Sequence, residues 1–275
     1  MEHHYCKYIN TLRKKTGART TSRSDSSSDA GDNASPRQHY SVAKKDRDHV
    51  DLYNFSNKHM GDPALKVSDI LTIYCSVLTV VQNFVVKLKD HLLARILNKQ
   101  YDPNPPMFTT KDRDELYIAE DRLEQRYSMS IYYTTYDLRR GKDRVNMRNR
   151  SHIMTLSHDG IHPYAYARVF GIFRLDVLHG PTMSGEDRMD VLWVHWFKID
   201  KTHRAGWKAK QLYQIKYIPA LEDDTFGFLD PNDIVRGSHL IGGFNLGHQS
   251  HSPSDPASTW DPEKESDWKT YYVNQ

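Results

Sequence analysis

Apolar and aromatic residues crowd into short blocks between His162 and Ile241. Two of them, Tyr164-Ala-Tyr-Ala-Arg-Val-Phe-Gly-Ile-Phe173 and Val191-Leu-Trp-Val-His-Trp-Phe197, are rich in β-branched and aromatic side chains. Leu212-Tyr-Gln-Ile-Lys-Tyr-Ile218 and the run from Phe226 to Ile241 follow, separated by Gly, Pro and charged turns. Such spacing predicts short antiparallel strands rather than a βαβ scaffold. Val191 and Trp193 lie on one face of their block and Leu192 and Val194 on the other, so that strand is expected to be covered on both sides. Upstream, Leu116–Ile118 and Tyr127–Tyr136 read as two further strands, the second alternating Met129, Ile131 and Tyr133 with Ser130 and Tyr132. Helical spacing appears once with force: Val85, Leu88, Leu92 and Ile96 recur every three or four residues beside Lys87, Lys89, Asp90 and Arg95, an amphipathic pattern. Pro103, Pro105 and Pro106 end it.

The division by composition is fourfold. Residues 1–46 are a basic, Ser-rich tail expected to be disordered, because they carry little apolar surface to offset the entropy of ordering. Residues 47–106 are expected to be a helical extension, 114–244 the β domain, and 245–275 a loose tail that stops as a strand is beginning. The expected fold is mainly β with a helical N-terminal extension (α+β overall), built on a small antiparallel barrel of SH3-like type. Within Asp230-Pro-Asn-Asp233, the residue before proline should be extended and the turn should return Ile234–Ile241 to the sheet. Gly237 should mark a bulge or a close backbone approach. Val169, Ile172, Trp193, Trp196 and Ile215 are expected to share one core.

Composition narrows the chemistry only slightly. The 275 residues allow one or two domains with a real core, and 38% hydrophobic against 27% charged residues suggests a modest folded region with polar flanks. A net charge of +3 and a pI near 8.6 permit nucleic-acid contact without demanding it. Cys6 and Cys75 alone give neither a disulfide framework nor a Cys-based zinc site, and they suit a reducing compartment. The opening Met-Glu-His-His-Tyr-Cys-Lys has no leader pattern. The apolar stretch from Ile70 to Val86 is short for a membrane span and is interrupted by Thr72, Ser76, Thr79, Gln82 and Asn83, so no membrane partner is expected.

No arrangement of nucleophile, base or metal ligands stands out, and neither a cofactor nor a small-molecule substrate is expected. Asp137, Asp143, Asp176, Asp190 and Asp230 read as turn and strand-edge residues. His152, His158 and His162, and the His248/His251 pair, lack the three or four fixed ligands that zinc requires. Two binding readings remain. Arg139, Arg140, Lys142, Arg144, Arg148 and Arg150 form the densest basic cluster, opposed only by Asp143; phosphate contact needs such cations, although a run of charges is more commonly a solvated linker. Tyr164, Tyr166, Trp193, Trp196, Trp207 and Tyr213 are enough rings for an aromatic cage around a methylated lysine, although rings at strand spacing more often form core.

A series of motifs resembles the region C-terminal to the catalytic domain in Plavaka-type (KDZ-like) fungal DNA transposon proteins. They are Gly61-Asp-Pro-Ala-Leu65, Lys87-Leu-Lys-Asp-His-Leu-Leu-Ala-Arg95, Tyr133-Thr-Thr-Tyr-Asp-Leu-Arg-Arg140, His162-Pro-Tyr-Ala-Tyr-Ala-Arg-Val169, Trp193-Val-His-Trp-Phe197, Gly206-Trp-Lys-Ala209, Phe226-Gly-Phe-Leu-Asp-Pro231 and Asp233-Ile-Val-Arg-Gly-Ser-His-Leu-Ile241. The blocks around Phe170 and Trp193 also resemble the bromo-adjacent homology (BAH) domain, a barrel of chromatin proteins. The resemblance implies a non-catalytic fragment of a transposase-like protein, with its catalytic carboxylates upstream, nuclear with a cytoplasmic location as the alternative, and with DNA, chromatin or a transposase catalytic domain as partners. A structural module with no ligand of its own is the alternative. In the family pattern the Gly-Asp-Pro-Ala motif runs almost directly into the helix, so residues 67–82 read as a translated intron.

Overall fold

A sixteen-residue strand and its thirteen-residue neighbour organise the molecule. The computed structural model describes residues 39–44, 47–51, 84–99, 108–147, 150–157, 162–180, 187–219, 222, 225–248 and 268–274. The expected intron-like insert at 67–82 and nearly all of the tail at 1–46 lie outside these residues. In chain order the strands are β1 Tyr40–Val42, β2 Arg47–Asp51, β3 Leu116–Ile118, β4 Arg122–Arg126, β5 Ser128–Thr134, β6 Arg140–Asn146 and β7 His152–Leu156. They continue with β8 Tyr164–His179, β9 Asp187–Ile199, β10 Gln214–Tyr217, β11 Phe226–Leu229, β12 Ile234–Gly237, β13 His239–Gly242 and β14 Tyr271–Asn274. Helix α1 covers residues 84–96 and α2 is the short turn Thr110–Asp114, closed by a Thr109–Asp112 capping box.

The chain is mainly β and its ladders are antiparallel. β8 and β9 pair from Ala167↔Trp196 to Val177↔Asp187, with one extra residue, Phe170, between Val169 and Gly171. Along its other edge β8 meets β7, then β4, then β3, while β9 meets β11 and β10. The larger sheet follows the path β12-β7-β8-β9-β10-β14-β13, and β1-β5-β6 form a second sheet. β12 and β13 do not pair with each other.

Strict alternation of side chains explains why both faces of β9 are apolar. Val191 and Trp193 join the cluster under α1, with Phe84, Leu88, Leu92, Phe226 and Phe228. Leu192 and Val194 face the second sheet, packing with Met129, Ile131, Val145 and Ile153. Phe197 belongs to a third cluster with Tyr166, Ile215, Tyr271 and Val273. The single core expected from Val169, Ile172, Trp193, Trp196 and Ile215 is therefore split three ways, because both faces of one long twisted sheet are covered. Trp193 is 5% exposed, its ring 4.8 Å from Phe84 and 4.7 Å from Phe228; Trp196 is only half-buried. Gly171 is needed for a close approach: a Cβ there would stand 2.4 Å from the Phe173 ring.

Buried charges are paired, as their desolvation requires. Arg174 donates from Nε and Nη2 to the two Asp190 oxygens at 2.8 and 3.1 Å. Arg95 of α1 donates to the Asp190 carbonyl at 2.7 Å and ion-pairs Asp230 at 2.8 Å. Burial, then Asp190 and Asp230, raise the Tyr40 hydroxyl above its ordinary pKa, with Arg95 opposing. That network joins β1, α1, β8 and β9.

Several boundaries differ from the sequence reading. Tyr40–Val42, assigned to the disordered tail, is β1 and pairs with β5. Arg47–Asp51, assigned to the helical extension, is β2 and pairs with β4. The strand expected to begin at the end of the 245–275 tail is β14, and it is an interior strand between β10 and β13. β1 and β2 are only three and five residues long, so their partners, not their own pattern, hold them. Asp230 is extended as expected and caps a 3₁₀ turn through Pro231–Asp233. The register shift falls between Ile234 and Arg236 rather than at Gly237. Gly237 instead makes a close approach, its N–H donating to Asp143 Oδ2 at 3.1 Å.

Candidate nucleic-acid interface

The basic segment after Leu138 is a strand, not a linker. In Arg140-Gly-Lys-Asp-Arg-Val-Asn146 only Val145 is strongly apolar, so periodicity alone gives little sign of β structure. Pairing supplies it: β6 runs opposite β5 from Thr134↔Arg140 to Ser128↔Asn146. Because successive side chains point to opposite faces, Arg140, Lys142 and Arg144 share the outward face, and all three are exposed. A rise of about 3.3 Å per residue sets them at intervals of roughly 6.6 Å along one line.

The inward face is anchored firmly. Met129, Ile131 and Val145 are buried. Asp143 accepts from Tyr133 Oη at 3.3 Å, from Arg236 Nε at 3.2 Å and from the Gly237 N–H. Arg236 lies over the Tyr133 ring, its Cζ 4.0 Å from the centroid. Gly141 makes room for that ring, since a Cβ there would come within 2.5 Å of Tyr133 Cε2. Burial, then the Asp143 carboxylate, raise the Tyr133 hydroxyl pKa, with Arg236 opposing. The one carboxylate inside the basic run is thus turned away from the cationic face.

On the outward face the cations surround a ring. Arg140 Cζ and Lys142 Nζ lie 4.9 and 5.8 Å from the Tyr132 ring centroid. The Tyr132 hydroxyl is 3.1 Å from Ser41 Oγ of β1, and Arg144 Nη2 donates to Ser128 Oγ at 3.3 Å. The hairpin tip projects Tyr136, 99% exposed, and Leu138, 86% exposed. Leu138 has φ 62°, in the left-handed region that a leucine seldom adopts.

The predicted basic residues divide accordingly. Arg140, Lys142 and Arg144 are brought together. Arg139 stands at the tip and pairs with Asp137 at 3.0 Å, Arg150 is exposed and its backbone bridges to Asn146, and Arg148 lies outside the described residues. Ser41, Ser128, Tyr132, Tyr136 and Leu138 join the site only through the pairing of β1, β5 and β6. The available signal was the alternation of cation with Gly141, Asp143 and Val145, opposite the alternating strand before it.

The aromatic cage does not assemble. Trp193 lies in the cluster under α1, Tyr166 and Tyr164 in the cluster with Phe197, Trp196 against the second sheet, and Trp207 in solvent. Alternation along β8 and β9 sends these rings to different faces. Tyr213 packs edge-on to His162, ring centroids 4.4 Å apart.

The acidic residues are dispersed, each beside a guanidinium: Asp137 with Arg139, Asp143 with Arg236, Asp176 with Arg188, Asp190 with Arg174 and Asp230 with Arg95. Among the described residues no group of three or more His, Cys, Asp or Glu could hold a metal ion. His162 is buried against the Tyr164 carbonyl, 2.9 Å away, and His195 against that of Ile218 at the same distance. His248 stacks on Trp268; His158 and His251 lie outside the described residues. Among the described residues no helix is long and apolar enough to cross a membrane. Compared with known proteins, the chain matches no family model, no curated protein and no solved structure.

Proposed function

We propose that this chain is a non-catalytic module that contacts nucleic acid through the outward face of the β1–β5–β6 sheet. The observation carrying this reading is the line of Arg140, Lys142 and Arg144 on one exposed strand face, with Asp143 turned inward. Cations on a fixed strand meet backbone phosphates without reading bases, which gives affinity with little sequence preference. Tyr136 and Leu138 at the tip of the same ribbon suit an apolar wedge against a groove.

The same role fits the Plavaka-type resemblance: a C-terminal region of a transposase-like protein, nuclear, with DNA or chromatin as ligand and a separate catalytic domain as its partner. For the fold we propose an SH3-like or BAH-like barrel. Its support is that the first and last strands of the sheet path, β12 and β13, are separated only by Ser238, whose N–H donates to the His152 carbonyl at 2.9 Å.

The test is salt-dependent retention on duplex DNA. Affinity should fall with a log–log slope of about −0.9 per phosphate neutralised, and Arg140→Gln/Lys142→Gln/Arg144→Gln should flatten that slope by about 2.7. Retention of the triple variant with the parent's slope would sink the strand-face reading. If the parent itself is not retained, the exposed Phe244 and Leu246 favour a docking module instead.

A further inference from the structure

A second cationic feature lies far along the chain from β6, in the connection between β9 and β10. Residues 200–213 form an ordered loop closed on itself. Asp200 Oδ1 accepts from Thr202 N and Oγ1 at 3.0 and 2.6 Å, and the His203 N–H donates to the Asp200 carbonyl at 3.2 Å. The Gly206 N–H donates to the Gln211 carbonyl at 2.8 Å, and the tip is tightened by Ala209 N–H to Gly206 O at 3.1 Å. Gly206 has φ 92°, and a Cβ there would stand 3.0 Å from the Tyr213 hydroxyl, so glycine is required.

The tip presents Trp207 with 96% of its surface in water. Exposed Lys201, Arg204, Lys208 and Lys210 surround it in sequence, and none of the four takes part in an ion pair among the described residues. The loop's sole carboxylate, Asp200, is occupied by Thr202 and by Lys216 at 3.4 Å. A solvated indole adds nothing to the fold, yet the loop holds it out on a fixed turn. Aromatic rings in such positions become the energetic centre of a contact once covered.

We infer that the Trp207 tip is a stacking site for unpaired nucleotides of single-stranded nucleic acid, distinct from the strand face of β6. A ligand for it must offer flat apolar faces and negative charge at close intervals. Unpaired bases linked by phosphates do both, and base–aromatic stacking is tolerant of sequence. An anionic membrane offers the charge but needs a broader apolar face; here only Leu212, 45% exposed, adds to the single ring.

The experiment titrates the full chain with labelled oligo(dT) and oligo(rU), a duplex of equal length, and vesicles containing phosphatidylserine. Trp207→Ala should weaken binding to one or both single strands by roughly five- to a hundredfold, change duplex binding by less than about twofold, and leave the unfolding midpoint in place. Trp207→Phe should restore most of the affinity. Lys208→Gln/Lys210→Gln should flatten the single-strand salt slope by about 1.4. The Trp207-dependent loss should persist in the Arg140→Gln/Lys142→Gln/Arg144→Gln background, so failure of the strand-face reading leaves it standing. Equal single-strand affinity in parent and Trp207→Ala overturns the inference, as does Trp207-dependent vesicle binding without oligonucleotide binding. Loss of the effect in the triple background would overturn the independence of the site.

Discussion

The β8–β9 hairpin and the β5–β6 hairpin share a topology but differ in what covers them. Every residue of β8 from Tyr166 to Phe173 is buried, as is β9 from Asp190 to Val194, because α1 and its neighbours cover one side and the β1–β5–β6 sheet the other. β5 and β6 bury one face through Met129, Ile131 and Val145 and leave Arg140, Lys142 and Arg144 in water. In the first hairpin nearly every position contributes to folding free energy. In the second, every other position of β6 is released from that role and can serve a ligand at little cost to stability. A binding surface is easiest to place where one face of a strand is already secured by the core.

The sharpest break between the two hairpins should come from Trp193→Ala. It removes a fully packed indole under α1 and is expected to cost about 3–5 kcal/mol in urea unfolding. A loss below about 1 kcal/mol would mean that the covered side is not the stabilising one. Ile131→Ala, on the inward face of β5, should cost about 2–5 kcal/mol; an effect near zero would show that the second sheet is not anchored to the first.

Acid should separate the covered side from the open one. Burial, then the positive charge of Arg95, lower the His91 pKa from 6.5 to about 3. The folded state therefore keeps His91 neutral while the unfolded chain takes up a proton. Stability from this source is complete above about pH 6.5 and is lost as pH falls toward 3, with a slope of up to about 1.4 kcal/mol per pH unit. Urea midpoints between pH 7 and 4 should flatten in His91→Gln; equal slopes in parent and variant would remove His91 from the account. The smallest effect belongs to β6. Each of Arg140→Gln, Lys142→Gln and Arg144→Gln should shift stability by no more than about 0.5 kcal/mol, and a large loss would make that face structural.

Local pattern was informative where burial was continuous or alternation clear. The strands around Phe170 and Trp193, the helix of Leu88 and Leu92, and the extended Asp230 before its turn are all visible in the residues themselves. β2, β4 and β6 are not, for each holds a single strongly apolar residue among polar neighbours: Val50, Leu123 and Val145. The strand beginning in the last residues, β14, is visible, but its interior place is not, since β10 and β13, the partners that fill both its edges, are far away in sequence. For the candidate site, the basic residues were legible as a cluster but not as a face, and Trp207 was grouped with rings that the sheet sends elsewhere.

What the sequence by itself determined is the mainly β character, the amphipathic helix and the presence of a concentrated basic run, because these follow from side-chain periodicity and charge within a few residues. Tertiary structure alone decided that Arg140, Lys142 and Arg144 point one way and Asp143 the other, that the aromatic rings disperse into three cores, and that Trp207 stands in solvent. Those outcomes depend on pairing between distant segments. Register with β5 sets the face of each β6 side chain, and the long β8–β9 sheet, covered on both sides, divides the rings between its faces.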